Sequence, residues 1–130
     1  MSNLTDECLF CNKKKQNIIY STKFIYVVRD SFPVTKYHSL IIPHRHVSNF
    51  FDLNENELND LSETLKKERQ SLLNLDKKIT AFNVGVNAGK DAGQSVMHCH
   101  IHLIPRRKGD IENPRGGVRG VIPSKQKYTR

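Results

Sequence analysis

No stretch of this chain approaches the roughly 18 consecutive apolar residues that a membrane span requires. Its opening, MSNLTDECLF, lacks the basic segment and apolar run of a secretion signal. A cytoplasmic protein with no membrane contact is the expectation. Cysteine is scarce: Cys8, Cys11 and Cys99 are an odd number that cannot all pair, which argues against a disulfide framework. In a reduced compartment the Cys8-x-x-Cys11 spacing points instead to a metal or redox site, and a metal needs further ligands. Internal repeats and low-complexity blocks are missing too. With 37% hydrophobic and 26% charged residues the composition is that of an ordinary globular protein, not a disordered one, and 130 residues suit one compact domain.

Acidic residues are also in short supply, 13 against 21 lysines and arginines, for a formal net charge of +8. From Arg106 onward stand Arg106, Arg107, Lys108, Arg115, Arg119, Lys125, Lys127 and Arg130 against only Asp110 and Glu112. So concentrated an excess favours a polyanionic partner, nucleic acid or a phosphate-rich small molecule, with a solvated tail as the plain alternative.

NIIYS (17–21) and FIYVVRD (24–30) read as two strands joined by a tight turn, and SLIIP (39–43) as a third closed by proline. From Asn54 the period changes. Asn54 can cap a helix with Glu57 as its capping-box partner, and Leu58, Leu61, Leu65 and Leu72 share one face of a helix running to about Asp76. ITAFNVGV (79–86) returns to strand composition, NAGKDAGQS (87–95) is a loop, and a fifth strand is expected from near Val96. This order implies an α+β domain: a mainly antiparallel five-stranded sheet with one long helix and a short one. Residues 1–110 form that domain and 111–130 a basic, irregular tail, for NPRGGVRGVIP holds two prolines and three glycines.

The stretch HCHIHLIPRRKGD (98–110) carries imidazoles at every second position. In an extended chain Val96, His98, His100, His102 and Ile104 point one way, and Met97, Cys99, Ile101 and Leu103 the other, so one face is core and the other chemistry. Three buried imidazoles would cost several kcal/mol if left unpaired. They cannot share one metal, because His98 and His102 lie about 13 Å apart along a strand, whereas zinc needs nitrogens at about 2.0 to 2.1 Å. A row of imidazoles does suit an extended anion such as a polyphosphate, with the middle ring at phosphorus. A neutral imidazole is a competent nucleophile near neutrality, and a phosphohistidine would divide one cleavage into two easier displacements.

GQSVMHCHIHLIPR (93–106) resembles the signature of the histidine triad superfamily, and DSFPVTKYHSLIIPHRHV (30–47) is similar to that family's second block. With CLFC the resemblance covers about residues 8 to 110. It implies the histidine triad fold and a nucleotide phosphoramidase or dinucleoside polyphosphate hydrolase, usually homodimeric, that forms a nucleotidyl-histidine intermediate on an adenine nucleotide. Within it His100 matches the nucleophile, His102 the residue at the scissile phosphate, and His38 a histidine completing the site. Asn87 and Ser95 match phosphate and leaving-group contacts, Gln94 a neighbouring polar contact, Asp30 a ribose hydroxyl acceptor, and Leu9 and Phe10 apolar walls of the base pocket. Cys8, Cys11, His46 and His98 match the zinc ligands of bacterial members, a Cys₂His₂ set with the closed count of a structural ion, one per chain. No organic cofactor is implied.

GVNAGKD (85–91) is not a P-loop: three residues separate its glycines instead of four, and Asp91 follows Lys90. Cys99 faces away from the imidazoles, where buried thiols are usually inert. Arg115 and Arg119 are expected to reach toward a polyphosphate or second nucleoside. Nucleic acid is not the expected partner, although a zinc-stabilised nucleotide or nucleic-acid binding module without turnover is the competing reading.

Overall fold

The computed structural model describes residues 7–129; the domain limits expected at residues 1 and 130, and Arg130 of the basic segment, lie outside them. Five antiparallel strands form one sheet: β1 (Tyr20–Ser21), β2 (Ile25–Arg29), β3 (Ser39–Pro43), β4 (Ile79–Val86) and β5 (Ile101–Arg107), in the order β1-β2-β3-β5-β4. One long helix, α1 (Glu55–Leu75), lies between β3 and β4 in sequence, and 3₁₀ turns punctuate the connections. No helix among the described residues is long and apolar enough to cross a membrane.

Strands β2 and β3 are buried along nearly their whole length, which explains why IYVV and LIIP read as continuous apolar runs instead of alternating. Ile25, Val27 and Ile41 pack with Leu61 and Ile101 on the helix side. Tyr26, Val28, Leu40 and Ile42 pack on the other side under Phe10 from the N-terminal segment. Registers Leu40↔His102 and Gly85↔His102 set His102 in the middle of three strands. The short β1 keeps only two of the five residues expected at 17–21.

The buried stripe of α1 is Glu57, Leu61, Thr64, Glu68 and Leu72, spaced four, three, four and four residues apart. Leu58, placed on this face by the sequence, is instead 40% exposed: it lies one residue, about 100° of helical rotation, beyond Glu57. Two glutamates are drawn in because each has a cation. Arg45 grips both oxygens of Glu57, at 2.7 and 3.2 Å, and Arg29 meets Glu68. Burial pushes the Glu57 carboxyl up, but bonds from Arg45 and the Asn54 amide outweigh it and hold the group below its usual range. The capping box is complete, with Asn54 and Glu57 exchanging side-chain-to-backbone bonds of 2.9 Å.

The ladder of β5 begins at Ile101, not near Val96. The preceding residues are diverted by other partners: the Cys99 amide donates to the Val47 carbonyl at 2.7 Å, and Gln94 donates to Ser48 O at 2.8 Å. Gly89 and Gly93 supply the positive φ values, 104° and 96°, that turn the loop ahead of them. Beyond β5 the chain folds back over β4, where a Cβ on Gly117 would stand 3.0 Å from Asn83 Nδ2.

Asn54→Ala removes one cap bond and should cost about 1 kcal/mol. Glu57→Ala also strips Arg45 of its partner and should cost about 2 to 3 kcal/mol. Urea unfolding of the two variants checks the order; equal losses would mean that the Arg45 pair contributes nothing.

Candidate functional site

Each histidine of the 98–102 row meets a different backbone or side-chain partner, and those partners decide which ring nitrogen holds the proton. His98, fully buried, donates from Nε2 to the Pro43 carbonyl at 2.8 Å. Its Nδ1 therefore carries a lone pair, and it faces Cys8 Sγ at 3.3 Å and Cys11 Sγ at 3.4 Å. His46 Nδ1 stands 3.1 Å from Cys11 Sγ. The four ligand atoms of Cys8, Cys11, His46 and His98 lie within 4.8 Å of one another. Tetrahedral zinc would space sulfur and nitrogen about 3.6 Å apart, so this donor set fits a single small cation after slight expansion. Without a cation, burial and the neighbouring Cys8 thiol push the Cys11 thiol up to about 11. A bound cation reverses that preference by favouring thiolate. Burial, partly offset by the Pro43 carbonyl, lowers His98 and keeps it the neutral ligand a metal needs.

His100 donates from Nδ1 to the His98 carbonyl at 2.8 Å, leaving the lone pair on Nε2. Its ring packs 5.0 Å from that of Phe10 and 5.3 Å from that of His102. The orienting carbonyl belongs to the residue whose ring joins the metal cluster. Cluster and nucleophile candidate are thus coupled through one peptide.

A second chain of bonds settles His102. The Val34 amide donates to His38 Nδ1 at 3.0 Å, so the proton of neutral His38 sits on Nε2 and is given to His102 Nδ1 at 2.9 Å. His102 in turn carries its proton on Nε2, as an outward hydrogen-bond donor. Asp30 Oδ2 lies 3.4 Å from His38 Nε2 and 3.9 Å from His102 Nδ1. Burial, then His100 and His38, push His102 down to about 4 against the opposing pull of Asp30; burial also lowers His38. Asp30, His38 and His102 are close enough to suggest a second metal group. The Val34 bond argues against it, because His38 cannot accept on Nδ1 and still offer a lone pair at Nε2. Tyr37, just before His38, is held at φ 73°, the left-handed region that a bulky side chain enters only under constraint.

A cavity of about 710 Å³ opens beside this pair, lined by His38, His102 and Asn87 and by residues of β4, β5 and the C-terminal segment. Ser95 and Leu9 are exposed at the surface. Phe10 is buried and packs against His98 and His100. Gln94 is buried with its amide committed: it accepts from the Gly89 amide and donates to Ser48 O and Val96 O. It braces the 89–96 loop. Arg115 and Arg119 do not line the cavity; both guanidinium groups stack on Tyr128, at 5.2 and 4.7 Å, and Arg119 also donates to Lys125 O. Both of the cations expected to reach toward a polyphosphate are thus already partnered within the C-terminal segment. What residue-type reasoning missed is backbone: Val34 N–H, Pro43 C=O and His98 C=O, which leave no mark in a one-letter code.

A histidine lowered by folding binds its proton in the unfolded chain first. The stability from His102 is therefore complete above the unfolded value of about 6.5, and is lost as pH falls toward about 4. Melting temperature should drop across this window, and His102→Gln should flatten the drop. His38 and His98, also lowered by burial, add to the drop in the same window, and the ion-paired carboxylates Asp76, Asp110 and Glu57, whose values are all held down, join at its acid end. An unchanged slope in thermal melts between pH 7 and 4.5 would show that His102 is not held neutral.

The HIT domain family model matches residues 12–109. The chain is 38% identical over 94 residues to the asymmetrical bis(5′-nucleosyl)-tetraphosphatase of Schizosaccharomyces pombe, covering 72% of this chain and 51% of that one. Over 110 residues it is 34% identical to the adenosine 5′-monophosphoramidase of Saccharomyces cerevisiae, covering 82% and 66%. It thus spans between half and two thirds of these curated relatives. A crystal structure of a Zn-bound histidine triad family protein from Mycobacterium smegmatis superposes with a TM-score of 0.75 at 26% identity, covering 84% of this chain and 81% of that one. A match over three quarters of its length, on the segments that build the histidine cluster, means that this chain belongs to the HIT domain family.

Proposed function

We propose that the protein is a nucleotide hydrolase that cleaves at the α-phosphate of dinucleoside polyphosphates or nucleoside phosphoramidates through a nucleotidyl-histidine intermediate. The observation that carries this reading is the His98 carbonyl bond to His100 Nδ1, which presents the Nε2 lone pair as a nucleophile and takes up the positive charge the ring gains on attack. Nε2 bonds to phosphorus while the bond to the leaving group breaks. Water then opens the phosphohistidine and releases a nucleoside monophosphate. His102 donates from Nε2 to a phosphoryl oxygen as a neutral imidazole, a role that the bond from His38 preserves. Asp30 accepts from the ribose, Asn87 and Ser95 contact the phosphate and leaving group, and Leu9 and Phe10 border the base. Gln94 acts by holding their loop. The two yeast relatives, named for tetraphosphatase and phosphoramidase activities, support this substrate class.

Cys8, Cys11, His46 and His98 hold one zinc ion per chain, which supplies a structural anchor and no reaction step. The Zn-bound family member supports this assignment. The family resemblance further supports a homodimer in the cytoplasm, with residues 1–110 as the catalytic domain and 111–130 as its appendage.

His100→Asn should lower the turnover of diadenosine tetraphosphate and of adenosine 5′-phosphoramidate by roughly a thousandfold or more, as loss of a nucleophile does. Nucleotide binding that persists in a wild-type protein without turnover would make it a binding module. Elemental analysis should return about one zinc per chain. Cys11→Ser should lose the metal and several degrees of melting temperature; full stability without metal would remove zinc from the account.

A further inference from the structure

Behind the His38–His102 pair, on the helix side of the sheet, stands a second set of contacts. Arg29 of β2 and Ser39 of β3 are register partners, and both share a face with Ile25, Val27 and Ile41, the face that packs against α1. His38, one residue earlier, projects to the opposite face toward His102. Glu68 of α1, buried, binds the Arg29 guanidinium. Arg29 Nη1 also donates to Ser39 Oγ at 2.7 Å, and Ser39 Oγ, fully buried, donates onward to the Tyr37 carbonyl at 2.8 Å. The Arg29 guanidinium lies 5.7 Å from the Tyr37 ring, which packs on Leu72, Ile79 and Leu103. Tyr37 is thus gripped at its carbonyl and at its ring from the helix side.

That grip holds a conformation which tyrosine does not choose. The His38 amide donates to the Thr35 carbonyl at 3.1 Å, closing a four-residue turn whose third position, Tyr37, has φ 73°. Turns with positive φ at that position ordinarily take glycine or asparagine, because a Cβ crowds the backbone there. The conformation matters because φ at residue 37 fixes where the preceding segment lies relative to His38. That segment carries the Val34 amide, the 3.0 Å donor to His38 Nδ1. Were Tyr37 to relax to negative φ, Val34 N–H would swing away and leave His38 free to hold its proton on Nδ1. Nε2 would then accept from His102 instead of donating to it, and the outward donor on His102 would become a lone pair.

Resting on the hydrolase reading above, in which His102 donates to a phosphoryl oxygen, we propose that Arg29, seated on Glu68, is a positioning residue for this pair. It clamps Tyr37 in the left-handed region and so selects the tautomers of His38 and His102 from the other face of the sheet. Arg29 touches no substrate; it acts through Ser39, Tyr37 and the Val34 amide.

Nitrogen-15 NMR of the imidazoles at neutral pH, on the full chain as purified, reads the tautomers directly, and hydrolysis of adenosine 5′-phosphoramidate reads their consequence. Tyr37→Ala keeps the Cβ but loses the ring. It should convert His102 in part to the Nδ1–H form and lower kcat roughly tenfold or more while KM changes little. Tyr37→Gly, which enters positive φ freely, should retain the wild-type tautomers and most of the rate. Arg29→Met should behave like Tyr37→Ala, and adding Tyr37→Gly to it should restore both readouts, whereas a purely structural arginine would give a double variant worse than either single one. Should Arg29→Met fail to fold with Glu68 left unpaired, the alanine and glycine variants at Tyr37 decide. Equal losses in those two, or an Nε2–H His102 retained in Tyr37→Ala, overturn the clamp and leave the hydrolase reading standing. Absence of turnover in the wild-type chain overturns the hydrolase reading, and the tautomers read by NMR then judge the clamp by themselves.

Discussion

A hydrogen bond of 2.8 Å from His100 Nδ1 to the carbonyl of His98 is the contact on which the site depends. Imidazole has two nitrogens and, when neutral, one proton, so occupying one nitrogen with an acceptor leaves the other as a base and nucleophile. The same rule is applied three times along five residues with different results. His98 gives its proton to Pro43 and turns its lone pair to the cysteines. His100 gives its proton to His98 and keeps a lone pair at Nε2. His102 receives a proton bond from His38 and presents a donor. Chemically identical side chains thus carry their lone pairs and protons on different nitrogens, because each meets a different partner: the Pro43 carbonyl, the His98 carbonyl and the His38 ring.

Much of this was legible in the sequence, for stated reasons. Alternation in 98–103 put Cys99, Ile101 and Leu103 in the core, and all three are buried. Asn54 and Glu57 announced the helix start, and the capping box is present. The spacing argument against one metal for three histidines holds, since only His98 joins the cysteine cluster. What could not be read were contacts made by atoms common to every residue. Strand β5 starts five residues late because the Val47 carbonyl takes the Cys99 amide, and no residue letter marks a carbonyl as available. The leucine count misjudged α1 for a related reason: a buried glutamate is excluded by hydrophobicity alone but permitted once Arg45 or Arg29 stands opposite, and such pairs join residues 12 and 39 positions apart.

The basic C-terminal segment shows the limit of net charge as a guide. Eight cations after residue 105 suggested an anion-binding tail, yet the structure spends four of them locally. Arg106 is fixed on Asp110, Arg107 on Asp76, and Arg115 and Arg119 stack on Tyr128. A paired guanidinium contributes to the long-range field but makes a poor specific contact, because binding a ligand means first breaking its existing bonds. Formal charge counts cations; recognition depends on those still without a partner.

The N-terminal segment is held in a way that joins stability to chemistry. Phe10 packs between the rings of His98 and His100, its carbonyl accepts from the Tyr26 hydroxyl, and the two cysteines flanking it face His98 and His46. Loosening Cys8 or Cys11 would therefore free Phe10, then the His98 ring, and through the same residue's carbonyl the orientation of His100. Any disturbance of the cluster must therefore also reach the nucleophile candidate, because His98 serves the cluster with its ring and His100 with its peptide oxygen.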